Sequence, residues 1–196
     1  MVIGLTGGIG TGKSTVAKLF SKNKNVAIYI ADLEAKKLMH SSEIIKTKLI
    51  AEFGEACFQN NELQRKHLAK IVFNNKQRLA KLNAIVHPEV HNHFQRFVTM
   101  NSSKTYIIYE NAILFENNSQ ALCDKIITVT APLEDRILRV MKRDDSTRKE
   151  VLQRMHNQWS EKKKTLQSNY IISNININET ADSVLKIHNI LTKNKK

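Results

Sequence analysis

Cysteine, proline and tryptophan are nearly missing: the 196-residue chain has two cysteines, two prolines and one tryptophan, with six glycines. Cys57 and Cys123 belong to no C-x-x-C or Cys/His cluster, so neither a disulfide scaffold nor a zinc site is expected, only two reduced thiols. No apolar stretch approaches the roughly 18 residues of a membrane span. Met1 runs almost directly into an apolar run, leaving no room for a signal peptide. Together these absences predict a soluble, cytoplasmic protein with no membrane partner. No internal repeat is visible, which argues against a solenoid. What remains suits one α/β domain with small insertions, since 41% hydrophobic residues can fill a buried core.

Acidic residues are also in the minority, 18 against 31 Lys and Arg, for a net charge of +13. Such a balance can mark a nucleic-acid binder. Here the basic residues are spread along the chain, with concentrations from Arg136 to Lys164 and in the tail Lys193-Asn194-Lys195-Lys196. Lys162-Lys163-Lys164 reads as a solvated helix face, because no aromatic interleaving or nucleic-acid module accompanies it. No nucleic-acid partner is expected, and a basic field equally attracts anionic nucleotides.

Residues 7–14, Gly-Gly-Ile-Gly-Thr-Gly-Lys-Ser, fully match the G-x-x-x-x-G-K-[ST] phosphate loop and follow the apolar run Val2-Ile3-Gly4-Leu5. Gly8, Gly10, Thr11 and Gly12 supply a backbone that can fold its N–H groups around phosphate oxygens. Lys13 places a point charge on the β/γ-phosphates, and the Ser14 hydroxyl can ligate Mg²⁺. From Thr15 onward nothing interrupts a helix whose N-terminal dipole would face the same phosphates. The dinucleotide fingerprint G-x-G-x-x-G is not met, since counting on from Gly8 and Gly10 reaches Lys13. ATP with Mg²⁺ is the expected ligand.

Apolar runs alternate with helical periodicity, predicting strands at Val2–Leu5, Val26–Ile30, Tyr106–Tyr109, Ile126–Val129 and Tyr170–Ile172. The fold expected is α/β, a three-layer P-loop NTPase built on a five-stranded parallel sheet. The core would occupy about 1–40, 101–132 and 167–196. A helical substrate-binding region would span about 41–100, broken near Phe53-Gly54 and at His87-Pro88. A charged lid would span about 133–166, entered through Ala131-Pro132. With few large apolar anchors, that lid should open easily without ligand.

Ligands of an open parallel sheet sit beyond the carboxyl ends of its strands. Two acids follow strands there, Asp32 and Glu110. Either could orient an attacking hydroxyl and accept its proton, or hold the metal through water; either could equally be an acid serving a helix dipole. Arg136, Arg139 and Arg143, spaced i, i+3 and i+7, share a helical stripe opposite Ile137, Val140 and Met141. Such a stripe can close over phosphates or simply pair with Glu134, Asp135 and Asp144.

The loop, the Ala31-Asp32 step, Phe53-Gly54, Leu63 with Arg65, Val72-Phe73, His87-Pro88, Leu114-Phe115-Glu116, Arg143-Asp144, Gln158 and Tyr170-Ile171-Ile172-Ser173-Asn174 together resemble the dephospho-CoA kinase family, in order over nearly the whole chain. The resemblance implies transfer of the ATP γ-phosphoryl group to the 3′-hydroxyl of the dephospho-CoA ribose. It also implies Asp32 as catalytic base, Arg65 and His87 in the substrate-binding region, and Arg143 in the lid, where the stripe would bring Arg139 to the nucleotide as well. Departures are Ile30 where an acid is usual, Glu110 for Asp, Ala112 for Pro, Gln64 beside Arg65 and Asn169 before Tyr170. A nucleoside monophosphate kinase would share loop and lid, but its phosphate acceptor would call for arginines rather than a carboxylate base. A basic ATP-dependent nucleic-acid-binding protein would use the loop for switching and would bind oligonucleotides with steep salt dependence.

Overall fold

The computed structural model describes residues 1–73 and 75–193; the tail residues Asn194, Lys195 and Lys196 lie outside that range. In chain order the elements are β1 (Val2–Thr6), α1 (Lys13–Phe20), β2 (Val26–Ile30), α2 (Ala31–Ser41), α3 (Glu43–Phe53), β3 (Phe58–Gln59), β4 (Glu62–Leu63), α4 (Arg65–Phe73) and α5 (Lys76–Met100). They continue with β5 (Tyr106–Glu110), β6 (Lys125–Thr130), α6 (Leu133–Asp144), α7 (Arg148–His156), α8 (Glu161–Thr165), β7 (Tyr170–Ser173) and α9 (Ile177–Lys193). The chain divides into two compact units, Met1–Tyr29 with Asn101–Lys196, and Ile30–Met100.

The first unit holds the sheet, in the order β2-β5-β1-β6-β7. Central β1 runs parallel to β5 and β6, and β6 runs parallel to β7. Strands β1, β5 and β6 are buried on both faces and read as near-continuous apolar runs, and all five expected strands appear where the sequence placed them. Four of them extend by one residue at one or both ends. One shift matters: Glu110 does not follow β5 but is its last residue, opposite Leu5 in the ladder, and its side chain is buried. Ile3, Leu5, Ile108, Ile127 and Val129 pack with Val16, Ala17 and Phe20 of α1 and with Val184, Ile187 and Leu191 of α9. Each fully buried Ile or Leu contributes about 1.5–3 kcal/mol relative to exposure. The cluster thereby fixes both elements that flank the phosphate loop.

The helices after β6 are better anchored than the sequence suggested. Ile137, Val140 and Val151 form a small core with Met141, Met155 and the loop residue Ile9. A capping box between Thr147 and Glu150 starts α7, and Arg148 forks onto Glu134 at 2.7 and 2.8 Å. The lysine run is not wholly solvated either. Lys162 and Lys163 are exposed, but Lys164 is fully buried, its ammonium 2.9 Å from Glu116. A single basic residue on the inward side of a five-residue helix leaves no periodic trace in the sequence.

In the second unit α5 packs on α2, α3 and α4. As expected, α3 stops at Phe53, where Gly54 takes φ 90°. The break expected at His87-Pro88 does not occur: α5 continues through Pro88 for 25 residues. Proline removes one helical hydrogen bond and costs about 3 kcal/mol. Buried Val86 before it, and Val90 and Phe94 after it, hold both halves against neighbouring helices and outweigh that cost. A hairpin of β3 and β4 turns through Asn60 and Asn61 at positive φ, and its two-residue strands are too short to show any alternation in the sequence.

Candidate active site

Between the end of β1 and the start of α1 the backbone turns through Gly10 at φ 83° and Gly12 at φ 85°. A β-carbon at Gly10 would strike the backbone of Arg136, and one at Gly12 would strike the Asn174 amide, so conformation and close approach both demand glycine. Such left-handed steps turn successive N–H groups toward one concave side, and the N-terminus of α1 adds its dipole there. Within the loop the buried Thr11 donates its hydroxyl to Gly8 O at 2.9 Å, and Lys13 Nζ lies 3.4 Å from the same carbonyl. Ser14 and Thr15 are exposed in the first turn of α1, within reach of a ligand.

Three side chains from distant segments hold the loop. Gln158 Oε1 accepts from Ile9 N at 2.8 Å, Arg136 Nε donates to Ile9 O at 3.0 Å, and Asn174 Nδ2 donates to Thr11 O at 2.8 Å. They come from 127 to 163 residues away in sequence. Gln158 and Asn174 stood out only as marks of resemblance; their work on the loop backbone had no local sequence signal.

The arginine stripe lies on α6 as its spacing requires, yet its members do different things. Arg136 is committed to Ile9 O and to Glu161 at 3.4 Å; burial lowers its pKa, and Glu161 opposes that shift. Arg139 Nη2 donates to Asn174 O at 3.0 Å. Its Nη1 is buried with no hydrogen-bond partner among the described residues, beside Gly12. Arg143 is exposed and forks onto Asp144 at 2.7 and 3.0 Å. Arg143, then Arg154, hold the Asp144 carboxyl below its ordinary range. Thus Arg136 and Arg139 sit at the loop, while Arg143 is turned onto its neighbour.

Glu110 is buried at the carboxyl end of β5, in the same unit as the loop. Asp32, Arg65 and His87 belong to the Ile30–Met100 unit. Asp32 is exposed in the first turn of α2, where a helix N-terminus favours a carboxylate. Arg65 opens α4 and is exposed. His87 has an exposed outer edge, but enough protein surrounds the ring that desolvation lowers its pKa. Both cysteines are free, and burial, aided by Asp124, pushes the Cys123 thiol up to about 12.

A parallel sheet with central β1, a glycine loop opening α1 and a buried arginine donor beside that loop define a P-loop kinase. A family model described as dephospho-CoA kinase matches residues 1–179. The chain belongs to the dephospho-CoA kinase family, a family of ATP-dependent kinases. The dephospho-CoA kinase of Bacillus licheniformis is 34% identical, the match covering 97% of this chain and 95% of that protein. The solved structure of TT1252 from Thermus thermophilus is 31% identical with a TM-score of 0.86, covering 100% of this chain and 98% of its own. A dephospho-CoA kinase from Campylobacter jejuni shares the fold at 22% identity and a TM-score of 0.65, over 98% and 97% of the two chains.

Proposed function

We propose that this protein transfers the γ-phosphoryl group of ATP to the 3′-hydroxyl of dephospho-CoA, giving coenzyme A and ADP. What supports this reading is the family match over residues 1–179, together with the braced phosphate loop and Arg139 Nη1 as an open donor beside it. On this reading Gly8, Gly10, Thr11, Gly12 and Thr15 shape the ATP site, and Lys13 neutralises the β/γ-phosphates. Asp32 accepts the proton of the ribose 3′-hydroxyl as its oxygen bonds to the γ-phosphorus and the bridge to the β-phosphate breaks, releasing ADP. Residues 41–100 form the substrate-binding region, in which Arg65 and His87 meet dephospho-CoA, and Glu110 is a further substrate residue. Residues 133–166 act as a lid; Arg143 leaves Asp144 and joins Arg139 on the transferring group, and closure excludes water.

The residues present fit Mg²⁺. That ion keeps several waters and binds the phosphate oxygens of its nucleotide, and the exposed Ser14 hydroxyl would supply a protein oxygen beside them. When bound with ATP, Mg²⁺ supplies charge neutralisation of the β- and γ-phosphates. The reading places the enzyme in the cytoplasm; none of the described helices is long and apolar enough to cross a membrane. ADP release with Mg-ATP, measured against dephospho-CoA, AMP, dTMP, dCMP and single-stranded DNA, tests it. Release with dephospho-CoA alone is expected, and a preference for a monophosphate acceptor or for DNA would replace the reading.

A further inference from the structure

We infer that Glu116 and Lys164 are positioning residues for the phosphate loop, acting through Trp159 and Gln158. Lys164 is fully buried, and its ammonium bonds Glu116 at 2.9 Å and Ala112 O at 2.7 Å. Glu116 Oε1 also accepts from the Trp159 backbone N–H at 2.8 Å. That N–H belongs to the peptide joining Gln158 to Trp159, and Gln158 is the residue whose side chain holds Ile9 N. The Trp159 ring stacks on Phe115, centroids 5.7 Å apart and 2° from parallel, and Lys163 Nζ lies 3.3 Å over its face. The segment after β5 thus grips residues 158–164 through one carboxylate, one carbonyl and one ring, and residues 158–164 grip the loop through one amide.

Stability alone does not account for this arrangement. Charges buried as a pair gain little over well-packed apolar groups, because desolvation consumes most of their attraction. Burial depresses the Lys164 pKa, with Glu116 opposing the shift, and Glu116 Oε2 is itself buried without a hydrogen-bond partner among the described residues. What the pair adds is geometry. One ammonium with two acceptors and one carboxylate with two donors fix the Gln158–Trp159 peptide in a single place, as apolar contacts would not.

The inference rests on the loop being an ATP site, and its test needs no acceptor, so its outcome stands apart from the acceptor assay above. Titration calorimetry with Mg²⁺ and an imido-bridged, non-hydrolysable ATP analogue is run on the wild type, Gln158→Ala, Glu116→Asp and the double variant. Glu116→Asp keeps the charge for Lys164 but shortens the reach to Trp159. Gln158→Ala should weaken analogue binding roughly 5- to 10-fold, as expected for one lost hydrogen bond. Glu116→Asp should weaken it by a similar factor. Because the two act in series, the double variant should bind no more weakly than the weaker single. In steady state the KM for ATP should rise in each while the KM for dephospho-CoA holds. Multiplying effects, or a Glu116→Asp protein with lowered Tm and unchanged affinity, would overturn the inference. Should Glu116→Asp not fold, Glu116→Leu with Lys164→Met removes both charges together with the acceptor for the Trp159 N–H, and the same comparison applies to it.

Discussion

Glu116→Ala offers the sharpest stability test, since it strands an ammonium that has no exposure to solvent. Lys164 would keep only the Ala112 carbonyl as a partner. Removing one partner of a buried pair costs about 3–5 kcal/mol. At about 2–4 °C per kcal/mol for a chain of this size, Tm should fall by roughly 6–20 °C. Adding Lys164→Met removes the stranded charge and should restore most of the loss. The pH dependence has a definite sign. The Lys164 pKa is depressed in the folded state, and without Glu116 it is depressed further. Between that value and the unfolded lysine value near 10.4 the unfolded chain binds more protons, so stability rises with pH across the window. Glu116→Ala should therefore recover stability as pH rises toward that value, more steeply than the wild type. Urea unfolding followed by circular dichroism, with fluorescence of Trp159 as the single tryptophan, measures all of this. A loss below about 1 kcal/mol, or a double variant as unstable as the sum of both singles, would refute the reasoning.

Lys13→Ala should lower turnover by several orders of magnitude with an unchanged melting curve, because Lys13 lies on the loop rather than in the core; near-native activity in the folded variant would sink the kinase reading. Asp32→Asn should cut kcat while ATP binding changes far less, whereas equal losses in both would point to a structural or metal-holding role; Glu110→Gln is the companion measurement. Arg143→Ala should lower kcat by roughly 10- to 1000-fold with little change in the Tm of the ligand-free protein, since Arg143 is exposed there. Arg136→Ala should instead lower Tm and weaken ATP binding together, because it removes the donor to Ile9 O from a partly buried position.

The sheet was legible because its central strands, buried on both faces, are nearly continuous apolar runs, and Val26–Ile30 was placed to the residue. The loop was legible because its chemistry is local: glycines, lysine and serine lie within eight positions. What escaped is non-local. No pattern in a linear chain shows that Gln158 meets Ile9, that Asn174 meets Thr11, or that Lys164 rather than Lys163 turns inward onto Glu116. Pro88 misled for the converse reason, a correct local preference overridden by packing on both sides. The arginine spacing fixed which helix face the three share, but not that Arg136 braces the loop while Arg143 rests on Asp144.

The most direct test of the central claim follows the phosphoryl group itself. Wild-type protein is incubated with γ-labelled ATP, Mg²⁺ and dephospho-CoA, and the product is isolated and its phosphate located by ³¹P and ¹H NMR. The account predicts label on the ribose 3′-oxygen, in amounts equal to the ADP released and absent with Lys13→Ala. Label on a phosphate or another hydroxyl, or ADP release with no labelled coenzyme A, would contradict it.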